Sequence, residues 1–85
     1  MANLVKKELD TRTFPQICSQ LTKFEWLELR NRLFSALGKT EQTLLNWRSG
    51  KTYPNTLIER KEVSRIVNTS LGINTNHLTL FISSK

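Results

Sequence analysis

One segment of this 85-residue chain carries most of the information about its architecture: Leu37-Gly38-Lys39-Thr40-Glu41-Gln42-Thr43-Leu44-Leu45-Asn46-Trp47-Arg48-Ser49-Gly50-Lys51-Thr52-Tyr53-Pro54. Gly38 accepts the left-handed conformation that follows a helix, and Thr40 is a preferred N-cap residue. A helix that begins at residue 41 places Leu44 and Trp47 on one inward face, and Gly50 ends it. So short a helix is unstable alone. The segment therefore predicts a short, polar helix that neighbouring helices hold in place.

The residues before this segment predict two further helices. Thr22-Lys23-Phe24-Glu25 is a capping box that starts a helix over Lys23–Leu37. Thr13-Phe14-Pro15-Gln16 is another, and it starts a shorter helix. The short helix is expected to bury Phe14, Ile17, Cys18 and Leu21; the long one presents the row Leu29, Leu33 and Leu37, with Trp26 and Phe34 flanking it.

The residues after the segment predict a fourth helix and an ambiguous end. Thr56-Leu57-Ile58-Glu59 is a third capping box, with Asn55 as a rival cap, and the helix runs to Gly72. Its apolar stripe comprises Leu57, Val63, Ile66, Val67 and Leu71. Residues 77–82 fit either a short helix capped by Asn76, which is preferred, or a strand with alternating Leu78, Leu80 and Ile82.

These elements predict an all-α fold, a small bundle of four to five helices that contains a helix-turn-helix. The length allows one domain, expected at residues 13–82. Residues 1–12 are expected to form a flexible N-terminal arm, with an extra short helix as the alternative, and residues 83–85 a tail.

Composition restricts the classes of function. Thirteen Lys and Arg against seven Asp and Glu give a net charge of +6 and a pI of about 10.0, which favours a polyanionic partner. The single cysteine, Cys18, cannot form a disulfide within the chain, and the lone His77 has no partners for a metal site, so we expect neither metal nor cofactor. No apolar run spans a membrane and no signal peptide is evident, which favours the cytoplasm. No pattern typical of an enzyme is present: there is no nucleophile and base pair, carboxylate dyad or phosphate-binding glycine loop.

Two helices joined by the turn Gly38-Lys39-Thr40 match a helix-turn-helix. An ordinary helical hairpin would explain Gly38, Leu44 and Trp47 equally well. It would not explain why the polar Gln42 and Asn46, one turn apart, share the outer face.

The run from Leu44 to Lys51, with Gly38, Thr40 and Pro54, resembles the core of lambda-repressor-like helix-turn-helix proteins, the phage repressor and Xre type. The resemblance covers about residues 29–71, and Trp47-Arg48-Ser49-Gly50-Lys51-Thr52-Tyr53-Pro54 is its most specific part. One departure is Phe34, which stands where the family usually has a small residue four positions before the turn glycine.

This resemblance implies double-stranded DNA as the partner and transcription regulation of phage or mobile-element type as the function. The implied base-reading residues are Glu41, Gln42, Thr43 and Asn46, because amides can bond adenine, Glu can accept from cytosine and Thr can contact a thymine methyl. The implied contacts to the DNA backbone are Lys39, Thr40, Arg48, Lys51, Thr52 and Tyr53.

Two further expectations concern partners. One recognition helix reads few base pairs, so we expect a weak homodimer through the C-terminal segment Leu78–Ile82. The alternative function is a non-enzymatic protein-interaction adaptor with the same fold, which would expose an apolar patch from that segment.

Overall fold

Five helices form among residues 8–81, which are the residues that this computed structural model describes. They are α1 (Phe14–Ser19), α2 (Lys23–Leu37), α3 (Glu41–Ser49), α4 (Leu57–Leu71) and α5 (His77–Leu80). No strand forms within residues 8–81, although Asp10 and Thr75 make an isolated parallel bridge. The predicted all-α bundle is confirmed, and the short-helix alternative holds for the end of the chain.

Local capping explains where most of these helices begin. Thr22 Oγ1 accepts from the Glu25 N–H at 3.1 Å while Glu25 accepts from the Thr22 N–H at 2.9 Å, and Thr13 with Gln16 repeats the arrangement. The box predicted at Thr56 forms only in part. Thr56 accepts from the Glu59 N–H, but the Glu59 carboxylate pairs with Lys39.

Glycines in the left-handed region end both α2 and α3. Gly38, with φ of 67°, ends α2, and Gly50, with φ of 82°, ends α3. The connection between α2 and α3 is the three residues Gly38–Thr40, as predicted. Thr40 Oγ1 then accepts from the Thr43 N–H at 3.2 Å and opens α3.

The core lies where α1 and α2 pack on α3, and where α2 and α5 pack on α4. Leu44 and Trp47 of α3 are buried in it, as predicted. Phe81 closes it from the C-terminal side, with its ring 5.7 Å from that of Phe14 and 5.2 Å from that of Tyr53, measured between centroids. Because α3 lies between α1 and α2, only one of its faces is left to solvent.

Two apolar residues predicted for the buried side are exposed. Phe34 is 53% exposed, since it lies about 100° around α2 from the buried Leu33. Leu57 is 54% exposed, because the six residues to Val63 correspond to about 240° of rotation, which puts Leu57 outside the buried stripe. The resemblance suggested a small residue at position 34; the larger Phe34 is accommodated because it points outward.

Most of the described apolar residues in the C-terminal segment are part of the core. Leu80 and Phe81 are buried, whereas Leu78 is 68% exposed. Of the residues predicted for a dimer surface, Leu78 therefore remains accessible, Leu80 and Phe81 do not, and Ile82 lies outside the described residues. The tail 83–85 and residues 1–7 of the predicted arm also lie outside them. Within the described part of that arm, the Asp10 N–H donates to the Asn74 carbonyl at 2.7 Å.

Candidate nucleic-acid interface

The exposed face of α3 is polar. Leu44 and Trp47 are 0% and 2% exposed and define its inner face. Gln42 and Ser49 are exposed on the opposite side, and Asn46, beside them, is half-buried. This face has no part in forming the core, so folding alone does not account for its side chains.

Gln42 and Asn46 are joined one turn apart. Gln42 Nε2 donates to Asn46 Oδ1 at 3.2 Å. Each amide keeps further hydrogen-bonding groups for a ligand: Gln42 has Oε1 and a second N–H, and Asn46 has its own NH₂ group. A mutual bond of this kind aligns the two amides before any ligand arrives, which lowers the entropy lost on binding.

The remaining two residues predicted to read bases have partners of their own. Glu41 Oε2 accepts from Arg30 Nη1 of α2 at 3.0 Å, with the Glu41 side chain 64% exposed. Thr43 is half-buried on the flank of α3, and its hydroxyl lies 3.0 Å from that of Thr40. Glu41 is thus accessible from outside, whereas the contacts of Thr43 favour a capping role over base reading.

Lys39 and Thr40, predicted to contact the DNA backbone, are both engaged at the start of α3. Lys39 Nζ lies 2.7 Å from Glu59 Oε2 of α4, and the two side chains are 33% and 25% exposed. Thr40 is the N-cap. The pair ties the α2–α3 connection to the first turn of α4.

Arg48 is held over an aromatic ring at the other end of α3. Its guanidinium carbon lies 4.7 Å from the centroid of the buried Trp26 ring, within cation–π range. Cys18 is buried nearby. Burial raises the pKa of its thiol to about 12, against a smaller opposing effect of the Arg48 charge. The thiol is therefore neutral near pH 7, and Arg48 makes no thiolate ion pair.

The loop after α3 directs backbone N–H groups toward the last turn of that helix. The Asn46 carbonyl accepts from the Lys51 N–H at 2.9 Å and from the Thr52 N–H at 3.4 Å, so these amides are not free for a phosphate. The side chains of Lys51 and Thr52 are exposed. Tyr53 is half-buried with its ring against Phe81. Its main contact is therefore with the core.

Two cations without a carboxylate partner lie at the end of α3. In residues 8–81, ion pairs with carboxylates engage five cations: Arg12, Arg30, Arg32, Lys39 and Arg65. The cations without such a pair within that range are Lys23, Arg48, Lys51, Arg60 and Lys61, and of these Arg48 and Lys51 are at the end of α3. An approaching polyanion would meet these two charges without displacing a carboxylate.

Sequence reasoning missed three residues of this surface. Ser49 lies two helical turns after Gln42 and on the same side of α3, a spacing that the sequence itself shows. Arg30 and Trp26 reach Glu41 and Arg48 only through the packing of α2 on α3, and no local pattern indicates these contacts.

Other classes of site find no support in the described part of the chain. Residues 8–81 contain no group of three or more His, Cys, Asp or Glu side chains placed to hold a metal ion. None of the helices described is long and apolar enough to cross a membrane. Comparisons with protein-family models, with curated proteins and with solved structures found no significant match.

Proposed function

We propose that this chain is a sequence-specific double-stranded DNA-binding protein of the lambda-repressor-like helix-turn-helix type, and that it acts as a transcriptional regulator of phage or mobile-element kind. The observation that carries the proposal is the exposed face of α3. Gln42 and Asn46 form an aligned amide pair there, and Arg48 and Lys51, free of carboxylate partners among residues 8–81, follow at the end of the helix. Amides that read bases beside cations that bind phosphates are the two components of a DNA-reading helix.

In this proposal α3 lies in the major groove. Gln42 and Asn46 are suited to adenine, which presents an acceptor and a donor there. Glu41, neutralised in part by Arg30, can accept from cytosine N4. Arg48, Lys51 and Thr52 would bind phosphates and set the register, with Lys39 joining them when it exchanges Glu59 for a phosphate.

A dimer remains part of the proposal, because a single nine-residue helix contacts few base pairs. The C-terminal surface available for it among the described residues is centred on Leu78, since Leu80 and Phe81 are committed to the core.

Selection from a randomised duplex library tests the proposal. We expect the unmodified protein to enrich specific bases and its affinity to fall steeply with salt. The double variant Gln42→Ala, Asn46→Ala should lose preference at the bases these residues read, at a cost of about 1–3 kcal/mol per bidentate contact. The control Gln20→Ala removes an exposed amide outside α3, one that bonds Arg12, and should keep the preferences.

Two results would contradict the proposal: duplex binding that is absent or insensitive to salt, or base preferences that survive the double variant intact.

A second candidate function, the protein-interaction adaptor, rests on a different surface. Ile58 and Leu57, adjacent at the start of α4, are 80% and 54% exposed, and DNA reading by α3 has no use for them. Replacing both with serine distinguishes the two functions. DNA binding by α3 would survive this change, whereas an adaptor that uses these side chains would lose its partner.

A further inference from the structure

We propose that Ser49 is a further specificity-determining residue, and that it reads a base with an exocyclic amino group, adenine or cytosine. This inference rests on the proposed DNA-binding function and deepens it. Three observations carry it: the position of Ser49 on α3, the hydrogen bond from its hydroxyl to the Asn46 carbonyl, and the charges beside it.

Ser49 lies on the line of the base-reading amides. It is the exposed last residue of α3, and the seven residues from Gln42 bring it back to within about 20° of the same direction. The two side chains are about 10 Å apart along the axis, close to three base steps of about 3.4 Å. The whole helix is only about 13 Å long, comparable to the major-groove width of about 12 Å, so its last residue stays within the groove.

The hydroxyl of Ser49 is oriented as an acceptor. Its Oγ donates to the Asn46 carbonyl at 3.1 Å, and that carbonyl also accepts from the backbone N–H groups of Gly50, Lys51 and Thr52. While this bond holds the single hydroxyl proton of Ser49, its Oγ offers only lone pairs to a ligand. In the major groove these match the N4 amine of cytosine or the N6 amine of adenine, and they oppose guanine O6 and thymine O4, which are themselves acceptors.

The hydrogen bond alone does not identify Ser49 as a base-reading residue, because Ser19 makes the same bond elsewhere in the chain. Ser19, the exposed last residue of α1, makes the same bond, from its Oγ to the Gln16 carbonyl at 2.8 Å. What distinguishes Ser49 is its alignment with Gln42 and Asn46 and its place between Arg48 and Lys51. A phosphate held by these two cations would keep the last turn of α3 against the DNA.

The test is library selection with the full chain and four variants: Ser49→Ala, Ser49→Thr, Gln42→Ala and Ser19→Ala. We expect Ser49→Ala to lose an adenine or cytosine preference at one base pair, about three steps from the position that Gln42→Ala affects. The loss of one neutral hydrogen bond corresponds to about a two- to tenfold change in base preference. Ser49→Thr, which keeps the hydroxyl, should retain the preference, and Ser19→Ala should match the unmodified protein.

Each outcome decides between explanations. Preferences unchanged in Ser49→Ala, but altered in Gln42→Ala, would overturn this inference and leave the proposed function standing. Loss at every position in Ser49→Ala, or a preference not retained by Ser49→Thr, would also overturn it, since the hydroxyl would then act only on the placement of α3. If the unmodified protein shows no base preference, the proposed function fails first, and this inference fails with it.

Discussion

The Lys39–Glu59 ion pair places a carboxylate beside the α2–α3 connection. Its atoms are 2.7 Å apart and both side chains are partly accessible. Accessible ion pairs contribute only about 0–1 kcal/mol, so in the proposed DNA complex a phosphate would replace Glu59 as the partner of Lys39. The displaced carboxylate would remain near the phosphate and repel it, so under the proposed function Glu59 would lower the affinity for DNA.

We therefore expect Glu59→Gln to raise affinity for all duplexes alike, by a few-fold at low salt, and to steepen the salt dependence by up to about one unit of slope. Titration of duplexes at several salt concentrations measures both quantities. Glu62→Gln is the matched control, because Glu62 is on the same helix but pairs with Arg65. Equal effects of the two variants would show that net charge alone, and not the release of Lys39, causes the change.

At the scale of elements, the two glycines that bound α3 have different surroundings. A Cβ on Gly38 would meet no atom within 4 Å, whereas a Cβ on Gly50 would lie 3.3 Å from Pro15 Cγ of α1. Both glycines have φ in the left-handed region, so each carries the same conformational demand. Only Gly50 also permits the close approach of α1 to the end of α3.

We expect Gly38→Ala to lower the free energy of unfolding by about 1–2 kcal/mol through backbone strain alone. Gly50→Ala should lower the free energy of unfolding by more, because Pro15 must also shift. Urea denaturation of both variants measures the difference, with Gly38→Ala as the internal control for strain. Equal decreases in the two variants would mean that Pro15 can shift without any loss of stability.

For the molecule as a whole, the start and end of the described chain meet on α4. The Asp10 N–H bonds to the Asn74 carbonyl, and the neighbouring Thr75 is buried, with its hydroxyl near Ser64 Oγ at 2.9 Å and its N–H on Asn68 Oδ1. Asp10 also pairs with Arg12 at 2.5 Å. The hydrogen bonds from Arg12 lower the pKa of Asp10 below its ordinary value of 3.8, against a smaller opposing effect of burial.

A lowered folded-state pKa means that folding favours the ionised carboxylate. Its stabilisation is complete above the unfolded pKa and disappears as the pH falls through the lowered folded pKa. We expect Asp10→Asn to be less stable than the unmodified protein near neutral pH, by at most about 1 kcal/mol, with the difference shrinking as the pH falls below the ordinary pKa of 3.8 and vanishing only below the lowered folded pKa. Urea midpoints across this pH range measure it. Glu28→Gln, which removes an exposed ion pair with Arg32, should change stability little at any pH. A difference for Asp10→Asn that persists in acid would contradict the assignment to charge.

Helix bounds and caps were predictable, because each depends on residues within one turn. Thr13, Thr22 and Thr40 open helices, and Gly38 and Gly50 close them, through bonds and dihedral angles that are local. The burial of Leu44 and Trp47 followed from their spacing on a short helix. Phe34 and Leu57 were mispredicted because apolar character does not say on which side of a helix the neighbouring elements will pack.

The sequence alone therefore determined the helix order, the all-α class and the candidate polar face of α3. The tertiary structure decided which predicted contacts are available. It gave Lys39 a carboxylate from α4, Glu41 a guanidinium from α2 and Arg48 an aromatic ring beneath it. The physical reason is range: capping and helical periodicity act over three to four residues, whereas these partners are separated from one another by 11 to 22 positions in the chain and meet only when the helices pack.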